Sequence, residues 1–255
     1  MKTDAIPSLN VLGVKVSRVD YATAVEAIIE AAKQQHSFGV SALAVHGVME
    51  AYRDRAFGET LNRLDLITPD GQPVRWALNL LGAREVKDRV YGPTLMLRLC
   101  ERAAAEGLPI FLYGSTSTVL DRLSRNLRKS FPDLVIAGVK ADRFRDSSVE
   151  EDEQDIRMIA DSGASIVMVG RGCPRQEKWV AAHLGAINAP MIAVGAAFDF
   201  HAGTMPQAPR ILQDHGLEWL FRLVHEPRRL WRRYLILNPL FVLSFGQQLI
   251  RSKVG

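Results

Sequence analysis

The stretch SIVMVGRGCPRQEKW, residues 165–179, decides the fold. Ser165 to Val169, continuously apolar from Ile166 and without period-two alternation, predicts a strand covered on both faces. Gly170, Gly172 and Pro174 then impose a turn, and a helical pattern begins at about 175. The same unit recurs outward in both directions. Strands are predicted at 11–16, 38–45, 64–68, 109–113, 134–139 and 190–194, with helical patterns at about 73–82 and 94–106 and a helix to about 129. Asp20 is placed to cap a helix carrying Val25, Ile28, Ile29 and Ala32 on one face. Ser147 with Glu150 predicts a capping box for a helix ending near Asp161. Strand–helix alternation with apolar strands predicts an α/β protein whose mainly parallel sheet carries helices on both faces.

After Gly203 the pattern becomes wholly helical, at about 206–214, 216–224 and 227–250. This divides the chain into a body, 1–205, and a helical C-terminal appendage, 206–255. The appendage holds eight basic residues (Arg210, Arg222, Arg228, Arg229, Arg232, Arg233, Arg251, Lys253) against Asp214, Glu218 and Glu226, a net of +5. The whole chain is +4, so the body sums to about −1. Trp219, Trp231, Leu235, Ile236, Leu240, Leu243 and Phe245 are interleaved with those cations. Such a surface suits an anionic, oily partner, either a membrane face or a lipid-linked diphosphate. Its aliphatic character argues against nucleic acid. No run reaches the roughly 18–20 apolar residues that cross a bilayer. Two cysteines, Cys100 and Cys173, form no disulfide framework and suit a reducing, cytoplasmic setting.

In such a sheet, ligands sit beyond the carboxyl ends of the strands. Four loops there carry candidates. Asp70, in Thr68-Pro69-Asp70-Gly71, is a general base or a helix N-cap. Gly114 opens Gly114-Ser115-Thr116, a phosphate cradle or a plain turn, without the lysine of a P-loop. Gly170 opens the third loop, where Gln176 is the best candidate for a ligand contact. Arg175, Glu177 and Lys178 form either a solvated first turn or part of the crevice wall. Asp199 stands between Phe198 and Phe200, so it needs a partner, either a ligand or an internal arginine. His201 has no second metal-ligand candidate at useful spacing and reads as structural. No Asp-x-Asp pair occurs, so arginines rather than a metal are expected to neutralise a bound diphosphate.

These loops and the tail, over roughly 10–235, resemble the WecG/TagA/CpsF glycosyltransferases. The stretches that carry the resemblance are TPDGQPVRWA (68–77), RVYGPTLM (89–96), GRGCPRQEKW (170–179), VGAAFDFHAGTMPQAPR (194–210) and GLEWLFRLVHEPRRLWRRY (216–234). The resemblance implies a Rossmann-like core with a C-terminal appendage. It implies an inverting enzyme that moves a sugar, typically N-acetylmannosamine, from a UDP donor to a sugar on a membrane-anchored polyprenyl diphosphate. No cofactor is implied, and the expected location is the inner face of the plasma membrane. By position, Asp70 matches the family's catalytic base, Arg89 an arginine near it, Gln176 the motif glutamine and Asp199 a contact for the uracil. Arg222, Arg229 and Arg232 match appendage arginines that close over the diphosphate. One departure stands out. Members often carry Thr-x-Asn where this chain reads Ala42-Leu43-Ala44, with His46 the nearest polar side chain. It points to another donor sugar in an exopolysaccharide branch.

Rival readings are a nucleotide-dependent oxidoreductase, disfavoured by the missing G-x-G-x-x-G, and a non-catalytic membrane-docked scaffold of a polysaccharide assembly complex. Apolar appendage residues could also pack in a homo-oligomer.

Overall fold

The computed structural model describes residues 6–209, 211–212 and 216–254. Two strands, β1 (Ser8–Val11) and β2 (Val14–Ser17), form an antiparallel hairpin. The apolar run 11–16, which predicts one strand, is broken at its centre. Leu12 and Gly13 take φ of 52° and 93°, the left-handed pair that closes a two-residue hairpin.

The chain continues through α1 (Tyr21–Lys33), capped by Asp20 through its bond from the Thr23 amide at 2.8 Å, to β3 (Phe38–Leu43). Two helices absent from the sequence reading follow, α2 (Val45–Arg53) and α3 (Arg55–Leu61). Ala44 gives α2 no side-chain cap, and Gly47 interrupts its pattern; Asp54 caps α3. Next come β4 (Leu66–Pro69), α4 (Gln72–Leu80), α5 (Gly92–Glu106), β5 (Ile110–Gly114), α6 (Ser117–Ser130) and β6 (Ile136–Lys140). Then follow α7 (Val149–Asp161), β7 (Ile166–Gly170), α8 (Arg175–Ala182), β8 (Pro190–Ala193) and α9 (Ala197–Ala202). The capping box of α7 lies one residue beyond its predicted place. Ser148 accepts from the Glu151 amide, and Glu151 reaches back to the Ser148 amide.

Strands β3 to β8 form one sheet in the order β4-β3-β8-β7-β5-β6, with every pairing parallel. The architecture is α/β and Rossmann-like. Period-two geometry sends alternate strand residues to opposite faces. Val40, Leu66, Leu112, Met168 and Ile192 belong to a core shared with Ile28 of α1, Leu99 of α5 and Leu123 of α6. Leu43, Ile67, Phe111, Val167 and Met191 belong to a second core, with Val48 of α2, Phe57 of α3 and Val180 of α8. Each such buried side chain contributes about 1.5–3 kcal/mol.

The C-terminal region runs through α10 (Glu218–His225), α11 (Pro227–Arg232), a π-helical turn (Arg233–Leu237) and α12 (Asn238–Val254). Leu237, Phe241 and Phe245 join the second core. Gln248 ties α12 to the hairpin, accepting from the Leu12 amide at 2.8 Å and donating to the Asn10 carbonyl at 2.7 Å. The opposite side leaves Leu235, Ile236, Leu240, Val242, Leu243 and Ile250 exposed, together with Trp231 of α11 and Trp219, Leu220 and Val224 of α10. No helix of the described residues is long and apolar enough to cross a membrane.

Candidate active site

The carboxyl ends of β3, β4, β5, β7 and β8 open into a crevice with two lobes. The larger, about 440 Å³, is lined by residues from the β5, β7 and β8 ends, among them Ser115, Thr116, Gly170, Gln176, Gly195 and Asp199. The smaller, about 200 Å³, is walled by Trp76 of α4, by Arg89 and Tyr91, and by Glu218, Trp219 and Tyr234 from the C-terminal region. Ala44, His46, Asp70, Arg222 and Arg233 line both.

Asp70 therefore stands where the lobes meet. The parallel ladder carries the chain to this point, and the Asp70 amide bonds the Leu43 carbonyl at 3.2 Å. The N-cap of α4 is Gly71, which makes no side-chain cap bond, so Asp70 is not spent on capping. Burial pushes its carboxyl up to about 7. Arg89 draws it back, Glu218 raises it further, and Arg222 and the Gly92 amide lower it. A carboxylate that titrates near neutrality is suited to taking a proton from a hydroxyl.

Arginines surround it. Arg89 donates to Glu218 Oε2 at 2.6 Å, and its guanidinium lies 4.4 Å from the Tyr91 ring centre. Tyr91 donates its hydroxyl to Glu218 Oε1 at 2.7 Å. Both Glu218 oxygens are thus engaged, which leaves Asp70 as the basic carboxylate of this lobe. Arg222 lies 5.4 Å from the Phe200 ring, and its buried Nε has no hydrogen-bond partner among the described residues. Arg233 was not singled out from the sequence as a site residue, yet it lines both lobes. It also helps burial hold His46 down at about 4, a neutral imidazole.

The remaining sequence candidates separate. Gln176 is buried and bridges loops, donating to Glu177 Oε1 at 2.8 Å and accepting from the Gly195 amide at 3.3 Å. Glu177 is buried rather than solvated. Ser41 also donates to it at 3.2 Å, and burial raises its carboxyl. Arg175 pairs with Asp142 at 2.7 Å, and Lys178 lies 5.8 Å from the Phe57 ring. Asp199 lines the larger lobe and accepts from Thr204 at 3.3 Å. Gly170 also lines it, while Gly114 sits behind it as a packing position. His201 places Nε2 2.9 Å from the Pro93 carbonyl, a structural contact. Arg232 is outside the two lobes, on a flank pocket with Arg53 and Glu50. The side chain of Arg229, like all of Arg210, is outside the described residues. Among the described residues no cluster of three His, Cys, Asp or Glu side chains could hold a metal ion.

A parallel α/β sheet with a raised carboxyl between two lobes, and arginines across their junction, suits chemistry that pairs a base with a departing anion. The match to the family described as Glycosyl transferase WecG/TagA/CpsF runs over residues 9–255, and the chain belongs to that family: it is a glycosyltransferase. A curated relative from Bacillus spizizenii is 29% identical over 187 residues, covering 73% of this chain and 70% of its own length. That relative is described as an N-acetylglucosaminyldiphosphoundecaprenol N-acetyl-beta-D-mannosaminyltransferase.

Proposed function

We propose that this enzyme transfers a hexose derivative from a UDP-sugar, bound in the larger lobe, to a polyprenyl-diphosphate-linked sugar that enters through the smaller one. The observation that carries the reading is the sharing of Asp70, Arg222 and Arg233 by both lobes. A direct displacement requires base, anomeric carbon and leaving phosphate at one junction.

In this reading Asp70 accepts the proton of the acceptor hydroxyl as its oxygen bonds the anomeric carbon. The bond from that carbon to the diphosphate oxygen breaks on the opposite face, so the configuration inverts. The departing UDP gains charge, which Arg222, whose Nε has no partner among the described residues, and Arg233 stabilise. Asp199 and the Ser115–Thr116 turn line the larger lobe and suit the nucleotide end. Trp76, Trp219 and Tyr234 offer flat apolar faces for the acceptor sugar.

The lipid-linked acceptor fits the exposed apolar strip of α10 to α12, which would dock peripherally on the inner membrane face with Arg228 and Arg232 among anionic headgroups. Residues 206–255 would thus serve as both docking segment and wall of the site. The relative's name points to N-acetylmannosamine as donor sugar and N-acetylglucosaminyl-diphospholipid as acceptor. Ala42 and Ala44, which line the larger lobe without polar groups, favour a different donor sugar.

The test is UDP release from a panel of UDP-sugars with and without polyprenyl-diphospho-N-acetylglucosamine. Acceptor-dependent release from one donor supports the reading. Liposome binding without release from any donor would replace it with the scaffold reading.

A further inference from the structure

Glu218 is the first residue of α10, yet it is only 6% exposed. Its two oxygens accept from groups in the segment before α5: Oε1 from the Tyr91 hydroxyl at 2.7 Å, and Oε2 from Arg89 at 2.6 Å. Among the described residues, the side-chain hydrogen bonds that join α10 to the α/β body both end on this one carboxylate. A buried ion pair is a poor choice if adhesion were the whole purpose, because desolvating both charges offsets most of their attraction. Its position suggests a second effect. Arg89 and Glu218 flank Asp70 and act on it with opposite sign.

We propose that Glu218 is a positioning residue through which the seating of α10 sets the strength of Asp70 as a base. It deepens the reading of Asp70 as the general base and rests on it. With α10 unseated, Arg89 faces Asp70 with its charge uncompensated and holds the carboxylate ionised but weakly basic. With α10 seated, Glu218 takes up that guanidinium, and the same helix removes water from the lobe. Tyr91 keeps the proton it donates, since burial and the neighbouring Glu218 raise its hydroxyl. The device would keep the base weak until the C-terminal region closes the site, which limits attack by water on the donor.

Other charged and titratable groups around Asp70 are Arg222 of α10, Arg233 and Tyr234 of the π-helical turn, His46 of α2 and Tyr21 of α1. None of these makes a described hydrogen bond to Glu218, so its replacement leaves their own contacts in place.

The experiment is a pH titration of the full chain labelled with ¹³Cγ-aspartate, followed by NMR, with Asp70 assigned through Asp70→Asn. The inference predicts that Glu218→Gln moves the Asp70 titration down by about half a pH unit or more from its wild-type position. Arg89→Gln should move it up, and the double variant should return it towards wild type. Tyr91→Phe, which removes one bond but no charge, should move it least. A folded Glu218→Gln with an unmoved Asp70 titration overturns the inference. If that variant does not fold, an unmoved titration in Arg89→Gln does the same. No substrate enters this measurement, so its failure is separate from that of the transferase reading. That reading falls instead if Asp70→Asn retains full sugar transfer.

Discussion

Gly114 at the end of β5 lies so close to Gly170 at the end of β7 that a Cβ on Gly114 would stand 2.5 Å from the Gly170 carbonyl oxygen. Gly170 is closed in turn on its other side, where a Cβ would meet the Phe198 ring at 2.6 Å. These two positions bring the strand ends and α9 together behind the larger lobe. Gly114 also takes φ of +119°, a conformation that side chains rarely adopt. Gly114→Ala should therefore lose about 3 kcal/mol of stability or more in urea unfolding, from strain and overlap together. An unchanged midpoint would show that the strands separate at no cost.

With Asp70 as the proposed base, its titration should set the pH dependence. Only its ionised form accepts a proton, so kcat/KM should fall about tenfold per pH unit below about 7 and level off above it. The stability effect has the opposite sign. A carboxyl that folding raises from 3.8 to about 7 binds its proton more tightly in the native state, so stability falls as pH rises between those values. Asp70→Asn removes that loss. It should be more stable than wild type at pH 8, by a ceiling of about 4 kcal/mol, and equal to it near pH 4. Thermal melts at the two pH values decide this.

The two arginines Arg222 and Arg232 should differ. Arg222 lines both lobes with a buried Nε that has no partner among the described residues, whereas Arg232 is exposed on the flank pocket. With a detergent-solubilised acceptor, Arg222→Met should lower kcat about 100-fold and weaken UDP binding, while Arg232→Ala should stay within about threefold. Equal losses would place the leaving diphosphate nearer the flank.

Much of the lining of this candidate site is legible in the sequence, because strand ends and their turns are local. Asp70 and Gly170 end or follow apolar runs, Gln176 and Asp199 lie at the starts of the helices just beyond them, and the parallel sheet brings all four to one edge. What escaped depends on distance or on weak local signals. Arg233 is one of several appendage arginines, and only the path of the π-helical turn directs it rather than Arg232 at the crevice. Glu218 enters the sequence only as one of three acidic residues of the appendage, and the fold sets against it Arg89 and Tyr91, more than 120 residues earlier in the chain. Helix α2 was missed because Gly47 and the uncapped Ala44 weaken the helical pattern, and α3 because its seven residues, with Gly58 among them, are too short to show a period.

Trp219 should affect the acceptor alone. It walls the smaller lobe at 37% exposure, within ring contact of Tyr234 at 5.9 Å. Trp219→Ala should raise KM for the lipid-linked acceptor about tenfold and leave the donor KM unchanged. A rise in the donor KM instead would exchange the assignments of the two lobes.

The central claim is that one carboxylate between the lobes removes the acceptor's proton. The most direct test is steady-state sugar transfer by Asp70→Asn, paired with calorimetric binding of UDP to the same preparation. The account predicts UDP affinity close to wild type and transfer reduced by about 1,000-fold. Transfer within a few-fold of wild type would contradict it and require another base.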